Sequence, residues 1–282
     1  MAKIKTYAKI NWALAVLGVE NGFHMLDGVM ENIDIYDVVD IEVTDNTDIN
    51  VTYDTVKTMK GDLCFRAAQA FFDYTKIQKG VTIKVEKKIP MQAGLGGGSS
   101  DCACVLWYLN KYFDNVIPQK EFMEIASSLG ADVPFFLMEG CNRARGKGEI
   151  LEKIDKDTVQ EFVLVKPINK GVSTKQAFDL CDKDMDKQVL DVEELIEGLK
   201  QNNYDLICKN MVNHLEKPSI TLLPDIKDIM DTLYNMGAKK AMMTGSGSTV
   251  IGVFDQMPTS FEPLKEYWYK PTKTMEKSFE IM

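Results

Sequence analysis

Histidine is scarce in this chain of 282 residues, in which only His24 and His214 occur. The six cysteines lack the paired spacing of zinc sites, and no secretory signal sequence is recognisable. These shortages argue against a zinc site and against a secreted fold held together by disulfides. We therefore predict six reduced thiols in a cytoplasmic protein.

Excess positive charge and long apolar runs are also missing. The net charge is −9 and the isoelectric point is near 4.9, which argues against nucleic acids and anionic membranes as partners. No apolar run is long enough to cross a bilayer. We predict a monomer or weak homodimer that binds small molecules. An anionic ligand would have to be bound by backbone dipoles and a few well-placed cations.

The most informative segment is Pro90–Ser100, in which four glycines fall in five positions and two serines follow. It connects a strand-like segment, Val81–Val85, with a helix-like one, Cys102–Tyr112. Strand, glycine loop and helix together predict a phosphate-binding unit, because backbone N–H groups can approach a ligand there. The loop lacks the lysine of the P-loop and fits the dinucleotide pattern only loosely. A turn without function is the alternative interpretation.

The rest of the chain mixes strands, mainly antiparallel, with helices and predicts an α+β fold. The strand predicted over Glu161–Pro167 opens a second domain, which gives domains of residues 1–158 and 159–282. One helix is predicted over Ser219–Met236. Phe135–Leu137 is consistent with either a buried strand or a short helix.

Three polar features outside the glycine loop could carry chemistry. Asp132 precedes Pro134 among small residues and could accept a proton from a hydroxyl group, although a helix cap or turn explains it equally well. Lys9 and Asn11 share one face of the first strand and could hold a carboxylate and a hydroxyl, but a solvated face is the simpler interpretation. The second glycine–serine loop, Thr244–Ser248, is either a hairpin turn or a partner that closes over a ligand.

Taken together, these segments resemble the GHMP kinase superfamily, which includes galactose, homoserine, mevalonate and phosphomevalonate kinases. The order and spacing agree over nearly the whole chain. Six segments carry the resemblance: Ala8–Asn11, Asn21–His24, Pro90–Ser100, Leu129–Pro134, Lys166–Thr174 and Thr244–Ser248.

The resemblance implies an ATP-dependent kinase with an N-terminal lobe like domain 2 of ribosomal protein S5 and a ferredoxin-like C-terminal lobe. It also implies that Asp132 is the base for the acceptor hydroxyl and that Lys9 keeps this carboxylate ionised. Mg²⁺ is expected with the nucleotide; its ligands are left open, with Ser100 as a weak candidate. The implied nucleotide-binding residues are Lys87, Pro90, Gly94, Leu95, Gly96, Gly97, Gly98, Ser99 and Ser100.

Within the superfamily, the resemblance is strongest to members that phosphorylate the 2-hydroxyl of 4-diphosphocytidyl-2-C-methyl-D-erythritol in non-mevalonate isoprenoid synthesis. The implied substrate-binding residues are Asn11, Phe23, His24, Asp132, Thr174 and Phe178. Aromatic rings stack on a pyrimidine, and His24 can hydrogen-bond to its edge. Two alternatives stay open: a GHMP kinase for another small polyol or nucleoside-like alcohol, and a non-catalytic nucleotide-binding homologue.

The chain departs from the family pattern at several positions. Phe23 replaces the usual tyrosine, and Asn21 replaces the usual aspartate. Asp62 stands where asparagine is usual near the nucleotide, so the adenine contacts are left open. Trp12 is bulkier than the usual residue. Arg145 lies in a segment that is usually small and neutral, and it could face a substrate phosphate.

Overall fold

The structure, a computed structural model, describes residues 1–54, 61–184 and 186–282. Two β-sheets with helices packed against them confirm the predicted α+β class. In the described ranges the strands are β1 (Ala2–Glu20), β2 (Phe23–Thr44), β3 (Ile49–Tyr53), β4 (Gly80–Glu86), β5 (Cys141–Gly146), β6 (Ile150–Lys153), β7 (Glu161–Lys166), β8 (Lys240–Met243), β9 (Val250–Val253), β10 (Trp268–Lys273) and β11 (Phe279–Ile281). The α-helices are α1 (Leu63–Thr75), α2 (Gly97–Tyr112), α3 (Gln119–Leu129), α4 (Val133–Met138), α5 (Thr174–Cys181), α6 (Val192–Gln201), α7 (Tyr204–Asn210), α8 (Glu216–Leu222) and α9 (Asp225–Asn235).

The first sheet is built on a long antiparallel hairpin of β1 and β2, which turns at Asn21 and Gly22 with φ angles of 51° and 79°. Along its other edge β2 pairs first with β5, through Leu26–Glu31, and then with β4, through Val38–Thr44. The pairing of β1 with β2 shifts register at three places. Such irregularities bend a strand and re-aim its side chains, so the hairpin can serve both halves of the molecule.

Helices α1 to α4 pack on the first sheet around a core that includes Phe71, Phe135 and Phe136. Phe135 and Phe136 belong to α4, so the segment left open by the sequence is a short helix. Pro134 lies in the first turn of that helix, where its missing N–H group leaves no intrahelical bond unmade. In the described part of the chain, no helix is both long and apolar enough to span a bilayer.

The second sheet has the strand order β10-β7-β9-β8, and helices α8 and α9 lie near it. The prediction of one helix over Ser219–Met236 is wrong, because α8 ends at Leu222 and α9 begins at Asp225. Pro224 stands between them, and proline cannot donate the backbone hydrogen bond that a continuous helix requires.

The two sheets share a buried apolar cluster. Trp12 of β1 is fully buried and meets Phe162 of β7 edge to face, with ring centroids 5.3 Å apart. Its indole N–H donates to Glu31 Oε2 at 2.7 Å, and Glu31 pairs with the buried Lys156 ammonium at 2.7 Å. The bulk of Trp12 therefore fills the seam between the two sheets.

The last strand returns to the first sheet. Residues of β11 pair with β1, from Ile4 opposite Ile281 to Thr6 opposite Phe279. The end of the chain therefore lies with the N-terminal sheet, apart from the remainder of the predicted domain 159–282. The boundary at residue 158 stays a prediction.

Candidate active site

The glycine loop forms the start of α2. The helix begins at Gly97, five residues earlier than the helix-like segment in the sequence, and Gly96 is its N-cap. Gly94 and Gly96 have φ angles of 74° and 70°, in the left-handed region that favours glycine. No side chain caps the helix, so its first N–H groups and the positive end of its dipole are available to an anion.

Gly96 also makes room for Lys9. A Cβ atom on Gly96 would lie 3.0 Å from Lys9 Cγ, and the backbone N–H of Lys9 donates to the carbonyl of Leu95 at 3.0 Å. The first strand thus runs directly behind the loop. The lysine that the loop sequence lacks comes from β1, and its side chain is only 5% exposed.

Lys9, Asn11 and Asp132 come together at one point. The Lys9 ammonium donates to Asn11 Oδ1 at 2.7 Å and lies 3.4 Å from Asp132 Oδ2. The predicted shared face of Lys9 and Asn11 is therefore confirmed. Asp132 immediately precedes α4 but makes no capping hydrogen bond, and its side chain is 37% exposed. The geometry favours a carboxylate held by a buried ammonium and open to a ligand over a helix cap.

Two cavities meet at this point. The loop cavity, of about 780 Å³, is lined by the glycine loop together with Tyr53, Asp62 and Lys87. The hairpin cavity, of about 720 Å³, is lined by Lys9, Asp132 and residues of the β1–β2 hairpin. The residues that line both are Gly94, Gly96, Ser99, Thr174 and Ser246. A ligand in one cavity would therefore meet a ligand in the other beside Ser99 and Gly96.

The second glycine–serine loop packs against the first. A Cβ atom on Gly94 would lie 2.5 Å from the carbonyl oxygen of Thr244, so the two backbones touch. The buried Asn213 side chain donates to the carbonyls of Met243 and Gly245 at 2.7 and 2.8 Å. Thr244 is fixed as well, since its hydroxyl accepts from the Asn11 N–H at 2.7 Å. The loop is thus part of the site wall, which a bare hairpin turn would not be.

Thr174 closes the junction from the second sheet's side. It is the first residue of α5, and its hydroxyl donates to Ser246 Oγ at 2.8 Å. The helix is capped by Ser173, whose hydroxyl accepts from the Gln176 N–H. Because Ser173 caps the helix, Thr174 is not needed for capping, and it lies at the edge of both cavities.

The three predicted base-binding residues lie in the hairpin cavity. His24 and Phe178 stack on each other, with ring centroids 4.3 Å apart and planes at 28°. Phe23 is half exposed, and the Lys147 ammonium lies 4.2 Å from its ring centroid. A base inserted between His24 and Phe178 would require these rings to separate.

Lys87 is engaged by two buried carboxylates. Its ammonium pairs with Asp37 and, at 2.7 Å, with Asp101. Burial alone would lower the pKa of Lys87, but the charges of Asp101 and Asp37 outweigh it and raise that pKa. Asp37 also accepts from the backbone N–H groups of Lys88 and Ile89. Lys87, a predicted nucleotide-binding residue, lines the loop cavity. Its charge is paired with Asp37 and Asp101, and these pairs hold the segment between β4 and the glycine loop in place.

Asp101 is the second carboxylate of this cluster. It is buried in the first turns of α2, and it accepts from Thr6 Oγ1 at 2.7 Å. Burial raises its pKa to about 6, against the lowering effect of Lys87. The start of α2 is thereby held to β1 through Thr6 and, through Lys87, to the segment that follows β4.

Two candidate side chains lie away from the cavity junction. Ser100 is fully buried and its hydroxyl donates to the carbonyl of Tyr7 at 2.7 Å, so its side chain faces the core. Ser99, one position earlier on the helix, lines both cavities. Arg145 pairs with Glu152 at 3.2 Å and lines a separate surface pocket, because alternate residues of β5 face opposite sides and Ala144 takes the cavity side.

Asp62 has a local role. Its side chain accepts from the Phe65 N–H at 2.9 Å and from the Tyr53 hydroxyl at 2.5 Å. It therefore caps α1 at the wall of the loop cavity. Of the remaining predicted nucleotide ligands, Pro90, Leu95, Gly97 and Gly98 line that cavity.

Several residues of the site were missed from the sequence. Lys147 and Asp182 meet Phe23 and His24, but neither lies in a recognisable motif. Asn213 is a lone buried amide whose role depends on contacts far along the chain. Ser246 could have been identified from the sequence, since it lies in the second glycine–serine loop. The described residues contain no cluster of three or more His, Cys, Asp or Glu side chains suited to a metal ion.

Comparison with known proteins agrees with this architecture. The profile "GHMP kinases N terminal domain" matches residues 62–140, and "GHMP kinases C terminal" matches residues 195–264. A 4-diphosphocytidyl-2-C-methyl-D-erythritol kinase from Clostridium tetani is 40% identical over 89% of this chain and 90% of its own length. The Clostridium acetobutylicum kinase of the same name is 34% identical over 98% of both chains.

Solved structures give the same grouping. A crystal structure of 4-(cytidine 5'-diphospho)-2C-methyl-D-erythritol kinase superimposes with a TM-score of 0.80 at 27% identity, over 97% of this chain and 99% of the other. Homoserine kinase from Cytophaga hutchinsonii gives a TM-score of 0.72 at 18% identity, over 100% of this chain and 97% of its own. At that identity the second match speaks for the fold alone.

Proposed function

Because this chain belongs to the GHMP kinase family, we propose that it transfers the γ-phosphoryl group of ATP to the 2-hydroxyl of 4-diphosphocytidyl-2-C-methyl-D-erythritol. One observation carries the proposal. The loop cavity and the hairpin cavity meet beside the Lys9–Asp132 pair, where a phosphate donor and an alcohol acceptor can face each other.

Asp132 is the base in this proposal. Its carboxylate accepts the proton of the 2-hydroxyl as the hydroxyl oxygen bonds to the γ-phosphorus, and the bond from that phosphorus to the β,γ-bridging oxygen breaks to release ADP. Lys9 holds the carboxylate in place from 3.4 Å and offsets negative charge at the junction. Its own position is set by Asn11 and Gly96. Such positioning supplies much of the rate in phosphoryl transfer.

The phosphates of ATP are assigned to the start of α2. The uncapped N–H groups of Gly97, Gly98 and Ser99 point out of the helix end, and the helix dipole favours an anion there. This assignment explains how a chain of net charge −9 can bind a polyphosphate with so few cations nearby.

Mg²⁺ fits the site as an ion that arrives with the nucleotide. It commonly uses one or two protein oxygens and takes its other ligands from phosphates and water, so a cluster of protein ligands is unnecessary. Ser99 lines both cavities, and its hydroxyl is the candidate oxygen. When bound, the ion would neutralise developing phosphate charge.

The cytidine end is assigned to Phe23, His24 and Phe178, and the rest of the substrate to Asn11 and Thr174. Phe23 and Phe178 are assigned to stack on the base, each contributing roughly 1–3 kcal/mol, and His24 is assigned to its edge. Lys147 lies beside Phe23 in the same cavity and is the nearby cation for the diphosphate. We also propose that the protein is cytoplasmic. We further propose that it is monomeric or weakly dimeric, and light scattering can test this oligomeric state.

Product formation tests the proposal directly. The purified chain is given ATP and Mg²⁺ with 4-diphosphocytidyl-2-C-methyl-D-erythritol or with a panel of other polyols and nucleosides, and the phosphorylated product is identified by ³¹P NMR. Turnover only with another alcohol supports the alternative GHMP kinase, and ATP binding without turnover supports a non-catalytic homologue.

The base assignment has its own test. Asp132→Asn should lower kcat about 10²–10⁴-fold with little change in KM, since the amide cannot accept the proton. Asp157→Asn, the same change at an exposed site that lines neither cavity, is the matched control. Full activity of Asp132→Asn would remove the assigned role.

A further inference from the structure

We propose that Asp182 makes the hairpin cavity selective for a base with an exocyclic amino group, by holding His24 with Nε2 protonated and Nδ1 free to accept a hydrogen bond. The inference rests on the proposed function and names the group that would distinguish cytosine from uracil. Asp182 acts through His24 and is therefore a positioning residue.

The contact between the two side chains is specific. Both carboxylate oxygens of Asp182 lie within hydrogen-bonding distance of His24 Nε2, at 3.0 and 3.1 Å. A carboxylate only accepts, so Nε2 is the donor. The imidazole face is held at the same time, because it stacks on Phe178 at 4.3 Å.

Helix α5 presents both holding groups together. Asp182 is its C-cap residue, and the Asp182 N–H donates to the carbonyl of Phe178 at 3.0 Å, one helical turn earlier. Side chains four residues apart lie on one helix face. One face of α5, on the second sheet's side, therefore contacts the imidazole of His24, which belongs to the first sheet, across the hairpin cavity.

The Nδ1 atom of His24 determines which hydrogen-bonding group of a base the cavity can bind. Among the described residues, Nδ1 of His24 has no hydrogen-bond partner, whereas Nε2 has Asp182. In a neutral imidazole with Nε2 protonated, Nδ1 is an acceptor. Cytosine offers its N4 amino group as a donor, but a 4-keto pyrimidine offers an acceptor oxygen there. Two facing acceptors leave both unsatisfied, which is the strongest basis for rejecting an analogue.

Binding of three nucleotides to the full chain tests this assignment. The probes are cytidine monophosphate, uridine monophosphate and the pyrimidin-2-one analogue that lacks only the amino group, each measured by calorimetry. We expect the native chain to prefer cytidine monophosphate over both others by at least about tenfold. Asp182→Ala should reduce that preference to less than about threefold, because His24 is then free to change tautomer.

A matched control comes from the same helix. Asp179→Ala also removes a carboxylate from α5, but Asp179 pairs with Lys175 at 3.5 Å and does not contact His24. This variant should keep the native preference. Equal weakening of all three nucleotides in Asp182→Ala would mean a merely structural role and would overturn the inference.

Nitrogen-15 NMR measures the tautomer of His24, which would not change if Asp182 had only a structural role. The chain has two histidines, so only two imidazole spin systems occur. The native His24 should show the Nε2–H tautomer, and Asp182→Ala should show a mixture. An imidazolium with both nitrogens protonated, or an unchanged tautomer in the variant, contradicts the inference. If the native chain binds none of the three nucleotides and turns over another alcohol, the proposed function itself fails.

Discussion

Gly96 is the position where one added methyl group should separate catalysis from folding. Its ideal Cβ would lie 2.9 Å from Phe136 Cζ, 3.0 Å from Lys9 Cγ and 3.2 Å from Lys9 Cε. Phe136 and Lys9 are both buried, but the Phe136 ring is rigid and packed in the core whereas Lys9 has a long flexible side chain, so we expect Lys9 to move. In Gly96→Ala the ammonium would shift away from Asp132, which now lies 3.4 Å from it.

The expected loss has two separable parts. The left-handed backbone, φ 70°, costs alanine about 1–2 kcal/mol of stability, or about 2–8 °C in Tm. Displacement of a catalytic group by up to ~1 Å lowers kcat by about 10²-fold. Differential scanning fluorimetry measures the first part, and ADP release under saturating ATP and substrate measures the second.

Gly237→Ala provides the control for backbone strain. Gly237 has a φ of 91° with nothing within 4 Å of its ideal Cβ, and it lines neither cavity. This variant should show the loss of Tm that backbone strain alone causes, and it should keep its kcat. If Gly96→Ala retained kcat within about threefold of the native value, the close passage of Lys9 behind the loop would be unimportant and the argument would fail.

Three further predictions concern buried charge and the thiols. Lys87→Met leaves the carboxylates of Asp37 and Asp101 without a cation and should cost about 3–5 kcal/mol in urea unfolding, whereas its exposed neighbour Lys88→Met should cost less than about 1 kcal/mol. Burial raises the pKa of Asp101 from 3.8 to about 6, so the folded state holds the carboxyl proton more tightly than the unfolded state does. The protonated Asp101 therefore stabilises the fold fully below pH 3.8, and this contribution is lost as the pH rises to about 6. Asp101→Asn should therefore flatten the dependence of unfolding free energy on pH over this window; an unchanged slope would contradict the assignment. All six cysteines are buried, and burial raises the pKa of Cys102 to about 12, so no thiol should react quickly with Ellman's reagent before denaturation.

Much of the fold follows from local patterns. The hairpin turn at Asn21 and Gly22 and the helices near residues 63 and 119 form where turn residues and apolar periodicity favour them, since both signals act over a few neighbours. The helix over Ser219–Met236 failed at Pro224, a signal that was present but outweighed by the periodicity around it.

The chemistry of the site divides in the same way. The sequence alone determined the glycine loop at the start of a helix, because this depends on residue type and immediate neighbours, and the resemblance to the GHMP kinases made Lys9 and Asp132 the candidate residues. Which serine faces the ligand was not determined, because it depends on the helix phase: α2 begins at Gly97, which turns Ser99 outward and Ser100 into the core.

Only the tertiary structure decided which distant groups meet. Register shifts in the β1–β2 hairpin and the packing of α4 bring Lys9 within 3.4 Å of Asp132, and a helix from the second sheet's side places Asp182 on His24. Lys87 binds two carboxylates because Asp37 and Asp101 are buried beside it, which no local pattern encodes. The sequence by itself determined a glycine loop at the start of a helix, and the tertiary structure decided which cation and carboxylate stand beside it, because ångström-scale contacts depend on the register and packing of elements far apart in the chain.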